Sequence, residues 1–162
     1  MKLTSVFFAL FLGGCAVGSP LPGAGRLPTE ATEEWHLNYV NVKGPCGAVS
    51  ITVNHIAEHI GDSPIAQDPD GDIVIYKLLG AATPVYDIAP ALPKVGNELL
   101  VVGQYYRQNV YFRETVVGLL LTSSGVPAIE IDSIGWPGLS GSPAFDAEGR
   151  YVGSIRSGHV SA

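Results

Sequence analysis

The chain is poor in cysteine, has no cluster of basic residues, and has no apolar run long enough to cross a bilayer. Its nine Lys and Arg residues are scattered and outweighed by fifteen Asp and Glu, giving a formal net charge of −6. A nucleic-acid-binding surface needs a basic stripe, so this balance argues against a nucleic-acid partner and leaves a protein substrate open. The longest apolar run, Leu3 to Leu12, is too short to span a bilayer as a mature helix. With Lys2 as a small positive n-region it reads as the core of an export signal over residues 1–18, outside the mature fold. There are two cysteines, Cys15 and Cys46. If Cys15 is acylated or cleaved off, Cys46 has no partner within the chain. Cys46 is then expected as a small apolar residue opening a buried strand. There is no coiled-coil pattern and no internal repeat beyond a division into two halves.

What is present points to a packed all-β protein. The chain is 46% hydrophobic and 15% charged over 162 residues, enough for two small subdomains sharing a core. Twenty glycines and twelve prolines, set between short apolar runs, favour many strands joined by tight turns. Strands are expected over Trp35–Val42, Ala48–Val53, Ile73–Leu79, Glu98–Val102, Asn109–Glu114, Thr115–Thr122, Pro127–Ile131 and Tyr151–Ile155. A helical turn is expected over residues 56–61. The segment 19–33, rich in Gly and Pro, reads as a flexible linker. Residues 34–90 form the first half, and residues 91–162 the second. Pro90, Leu92 and Pro93 lie at the join.

The stretch Gly138-Leu139-Ser140-Gly141-Ser142-Pro143 carries the chemistry. A serine flanked by glycines can sit on a turn tight enough for backbone N–H groups to face a developing oxyanion. Upstream, Val49-Ser50-Ile51-Thr52-Val53-Asn54-His55 reads as a strand ending at a histidine. Asp70-Gly71-Asp72-Ile73-Val74-Ile75 reads as a turn feeding a strand at an aspartate. The order His, Asp, Ser differs from that of α/β-hydrolases and subtilisins.

These stretches resemble the trypsin-like, chymotrypsin-fold serine peptidases. Lys94-Val95-Gly96-Asn97-Glu98 to Gly103, and Pro143 to Phe145 with Gly149 to Ile155, are closest in style to the Deg-type and glutamyl-endopeptidase branches. The resemblance runs from about Cys46 to Gly158. It implies two small antiparallel β-barrels with the active site between them. Ser140 is then the nucleophile, His55 the general base and Asp72 its orienting carboxylate, with Asp70 a turn residue. The backbone N–H groups of Gly138 and Ser140 form the oxyanion hole. No cofactor and no metal are implied.

Leu139 stands where activated digestive members carry an aspartate, which excludes their zymogen mechanism. Only residues 156–162 follow the post-serine hairpin, so the second barrel is expected to be incomplete at its C-terminal side. Its edge would then be open unless another chain or the N-terminal arm covers it. Counting from the serine, Ile134 falls near the floor of the specificity pocket, and Ser157 and Gly158 near its wall. An apolar floor favours apolar or small side chains, whereas Arg156 and His159 would read an acidic one. The sequence leaves both open.

Two rivals accompany this reading. His55-Ile56-Ala57-Glu58-His59 matches the inverted zinc-peptidase motif, in which two histidines one helical turn apart hold zinc and Glu58 acts as base. The other is a degenerate protease-fold protein that binds a partner at the cell surface. The expected function is a serine endopeptidase acting on protein or peptide substrates. It is expected to be exported, as a cell-envelope lipoprotein facing the periplasm or exterior, or secreted. Leu12-Gly13-Gly14-Cys15 resembles a bacterial lipobox with Cys15 as the lipidated residue, and Ala16-Val17-Gly18 resembles an ordinary cleavage site. The membrane is expected to matter only through that anchor.

Overall fold

Strand β5 (Ile73–Lys77) shows how the sequence sets the fold. Val74 and Tyr76 are buried and Lys77 is exposed, the period of two that a half-buried strand requires. The computed structural model describes residues 2–7, 39–79, 84–105, 108–123, 125–132 and 139–160. The remaining elements are β1 (Lys2–Phe7), β2 (Val40–Gly44), β3 (Gly47–Thr52), a 3-10 helix (Asn54–His59), β4 (Ala66–Asp68), β6 (Val85–Tyr86), β7 (Glu98–Tyr105), β8 (Gln108–Leu121), β9 (Pro127–Asp132), β10 (Pro143–Phe145) and β11 (Tyr151–Val160). The chain is all-β, with the two-part plan of a chymotrypsin-like fold. The expected linker 19–33 and the start of the Trp35–Val42 strand lie outside the described residues.

The first half is a five-stranded sheet in the order β4-β5-β3-β2-β6. Its edges are short strands of three and two residues, which present few unpaired backbone groups. β2 and β3 pair from Val40↔Ile51 to Gly44↔Gly47, leaving Pro45 and Cys46 as the turn. Gly47 follows at φ +124, a backbone state that side chains avoid. Cys46 is exposed in this turn and disulfide-bonded, which corrects the expectation of an unpaired apolar residue in a buried strand. The chain's other cysteine, Cys15, lies outside the described residues.

The second half is a closed barrel in the order β1-β11-β10-β7-β8-β9. The open edge expected there is filled by β1, which pairs antiparallel with β11 on one side and β9 on the other. In the full chain, part of the stretch read as an export signal is therefore a barrel strand. Two open edges draw in a short apolar segment, because pairing satisfies backbone groups that would otherwise stay unmatched. The two strands expected over 109–122 form one long strand, β8. A bulge between Val116 and Gly118 lets it pair β7 with its first part and β9 with its last. A Cβ at Gly118 would meet the Glu130 carboxylate, the far end of a flexible side chain that would have to turn aside.

Two apolar clusters hold these parts. Leu99, Val101, Val116, Ile129, Ile131, Leu139, Ala144, Val152 and Ile155 fill the barrel. Val40, Val42, Ile51 and Tyr86 of the first sheet pack against Val102, Phe145 and Tyr151 of the second. The Tyr86 and Phe145 rings lie 4.6 Å apart at 57°, a tilted pair worth about 1 kcal/mol beyond its buried area. Backbone bonds zip the connection to β11: Tyr151 N–H to Asp87 O and Ala89 N–H to Tyr151 O, both 2.8 Å. Burial pushes the Tyr151 phenol above its ordinary range, so it stays neutral and shares a 2.8 Å hydrogen bond with Ser154.

Candidate active site

β3 and β5 are antiparallel neighbours, with Thr52 opposite Val74. The end of β3 therefore lies beside the start of β5, and residues 17 apart in sequence meet. His55, just past β3, places Nδ1 2.6 Å from Asp72 Oδ2, while its backbone N–H donates to Asp72 Oδ1 at 2.8 Å. The neighbouring Asn54 N–H donates to the Asp72 carbonyl at 3.1 Å. Both carboxylate oxygens thus face one residue. In the neutral imidazole a carboxylate accepting at Nδ1 selects the tautomer whose Nε2 keeps its lone pair. The His55 side chain is 45% exposed and that of Asp72 11%. The imidazole is open to solvent while the carboxylate is shielded.

A folded turn aims Asp72. Asp68 Oδ1 accepts the N–H groups of Asp70 and Gly71 at 3.1 and 3.0 Å, an Asx-type arrangement. A Cβ on Gly71 would lie 2.6 Å from Asp68 Oδ2, so a side chain there would push the Asp68 carboxylate out of these bonds. Asp72 itself takes φ +56, a left-handed state costing a non-glycine residue about 1 kcal/mol. That backbone state swings its carboxylate onto His55. Asp72, and not Asp70, meets the histidine; Asp70 is an exposed turn residue.

Ser140 stands on a turn braced from both sides. The Ser142 N–H donates to the Leu139 carbonyl at 3.1 Å across it, and Gly141 follows at φ +86. The Gly141 N–H bonds the Ile155 carbonyl and the Ile155 N–H bonds the Ser142 carbonyl, both at 2.8 Å. Leu139 is 2% exposed and anchors the turn in the barrel core. It fits because Gly103 has no side chain: a Cβ there would lie 2.6 Å from Leu139 Cδ1. Leu139, the departure from the digestive enzymes, is thus a core residue here. The Ser142 hydroxyl is buried without a partner among the described residues.

The other expected site residues divide. Gly138, Ile134 and Cys15 lie outside the described residues. Ser157 and Gly158 are consecutive on β11, opposite Ser5 and Thr4 of β1. Arg156, expected as a possible reader of acidic substrates, turns toward the first half: its Nε is 3.9 Å from Asp72 Oδ2. The sequence gives no sign of this contact, which joins positions 84 residues apart across the two halves.

The zinc motif meets a geometric obstacle. Residues 54–59 form a short 3-10 helix, not the α-helix whose turns bring positions four apart onto one face. His55 Nδ1 is also committed to Asp72. A cavity of about 490 Å³ lies elsewhere, between the Ala89–Pro93 connection and the β10–β11 hairpin, and none of His55, Asp72 and Ser140 lines it.

No curated protein matches the chain. The family model of the trypsin-like peptidase domain matches residues 41–153 of the 162, a span containing His55, Asp72 and Ser140, and the chain belongs to that family.

Proposed function

We propose that the protein is a serine endopeptidase working through His55, Asp72 and Ser140. The observation that carries this is the doubly held aspartate, with Oδ2 2.6 Å from His55 Nδ1 and Oδ1 bound to the His55 backbone N–H. That arrangement supports a histidine fixed in one tautomer with a free, accessible Nε2.

In this reading Ser140 Oγ attacks the substrate carbonyl carbon and its proton passes to His55 Nε2. The carbonyl oxygen becomes an oxyanion facing the N–H groups of Gly138 and Ser140, each donor lowering the barrier by roughly 3 kcal/mol. The C–N bond then breaks, and His55 returns the proton to the leaving amine. Water attacks the acyl-serine with His55 again taking a proton, which frees the acid and restores Ser140. Asp72 stabilises the imidazolium at each stage without accepting its proton.

We also propose that the chain is exported, on the Lys2–Leu12 signal pattern; removal of that segment takes β1 out of the barrel and leaves the facing edges of β9 and β11 unpaired. Lipidation at Cys15 and cleavage after Gly18 leave different N-termini, so the mass of the mature N-terminus decides between lipoprotein and secreted form.

A fluorophosphonate probe tests the catalytic reading. The wild type should label and Ser140→Ala should not, at unchanged fold by circular dichroism. A folded wild type that does not label would point to a degenerate protein that binds a partner.

A further inference from the structure

Strand β11 grips both sides of the candidate site with adjacent residues. Ile155 holds the serine turn through the two 2.8 Å backbone bonds to Gly141 and Ser142. Arg156 holds the aspartate turn. Its Nε is 3.9 Å from Asp72 Oδ2, and its Nη2 donates to the Asp70 carbonyl at 3.4 Å. Successive strand residues point to opposite faces. Ile155 accordingly enters the barrel core at 2% exposure, while the Arg156 side chain lies 34% exposed against the first half.

The contact has the features of a positioning device. At 3.9 Å the guanidinium faces Oδ2 without taking the hydrogen bond that belongs to His55. Its second contact, to the Asp70 carbonyl, holds the turn that keeps Asp72 at φ +56. The strand that sets the serine turn therefore also sets, one residue on, the turn that orients the histidine. Without this link the two turns answer to different sheets.

We propose that Arg156 is a positioning residue. It acts through Asp72 to hold His55 in register with the Ser140 turn that Ile155 fixes. The inference rests on the serine-peptidase reading. It assigns the Arg156 guanidinium to the enzyme's own aspartate and not to an acidic substrate side chain.

Arg156→Gln and Arg156→Lys test it in the full chain with an activated p-nitrophenyl ester. Arg156→Gln should lower kcat about two- to fivefold at unchanged KM, the range expected of a partly exposed ion pair. Arg156→Lys, which keeps the charge, should recover most of that loss. In an Asp72→Asn background Arg156→Gln should add no further slowing of probe labelling. A rise in KM at constant kcat would assign Arg156 to substrate and overturn the proposal. So would a slowing that persists undiminished without the Asp72 carboxylate, or an unchanged kcat.

Hydrogen exchange of the His55 amide, bound to Asp72 Oδ1, reads the same link without catalysis. Arg156→Gln should speed it about fivefold, with barrel amides such as Val101 unaffected. A wild type that does not label defeats the serine-peptidase reading, and the exchange result still judges the link. A wild type that labels, with His55 exchange unchanged in Arg156→Gln, defeats the link alone.

Discussion

The two halves of the molecule secure their functional residues by different means. The first half is an open sheet, and it holds His55 and Asp72 by side-chain hydrogen bonds to one carboxylate. The second is a closed barrel, and it holds Ser140 by backbone bonds from the flanking residues to β11. Side-chain bonds fix a tautomer and a ring plane but are lost with one substitution. Backbone bonds survive most substitutions and fail only when the chain is forced to move. The first half is thus chemically fragile and the second sterically fragile.

The largest test of this contrast removes the carboxylate charge. Asp72→Asn keeps the shape but allows the wrong histidine tautomer, and should slow ester turnover about 10⁴-fold with little change in melting temperature. A loss within tenfold would mean that the aspartate does not orient the histidine.

The sequence made much of this pairing visible. His55 ends an apolar β-branched run and Asp72 opens another, and antiparallel pairing of those runs brings them together. The glycines of the serine turn were likewise legible, since tight turns restrict residue type. Three features were not. β4 and β6 are too short to show a period. β8 looked like two strands because its bulge at Val116–Gly118 breaks the alternation. Arg156 looked like a pocket residue because its partner depends on how two sheets pack, which no local pattern encodes. The role of Lys2–Phe7 was hidden for a related reason: its apolar character fits an export signal as well as it fits a barrel strand.

That last ambiguity yields the next test. Deleting residues 1–18 leaves β9 and β11 without their shared neighbour. The second barrel should lose several kcal/mol in denaturant unfolding, while hydrogen exchange in β3 and β5 changes little. An unchanged unfolding curve would show that the mature barrel does not need β1.

Steric fragility is tested at Gly103→Ala. The new methyl would meet Leu139 at 2.6 Å and come within 3.3 Å of Ser142 Oγ. It should cost about 1–3 kcal/mol and shift the serine turn, lowering kcat. The same stability with full activity would contradict the view that close packing sets this turn. The smallest effect is expected at Arg113→Ala, which breaks an exposed pair with Glu98 on the barrel wall. It should change stability by less than about 1 kcal/mol and leave activity intact, marking the background against which the other variants are read.

The central claim is that the histidine held by Asp72 activates Ser140. The most direct measurement is mass-spectrometric mapping of the fluorophosphonate adduct in the wild type, His55→Ala and Ser140→Ala. The account predicts one adduct, on Ser140, formed far more slowly in His55→Ala and absent in Ser140→Ala. An adduct on another residue, or labelling of Ser140 at an unchanged rate without His55, would contradict it.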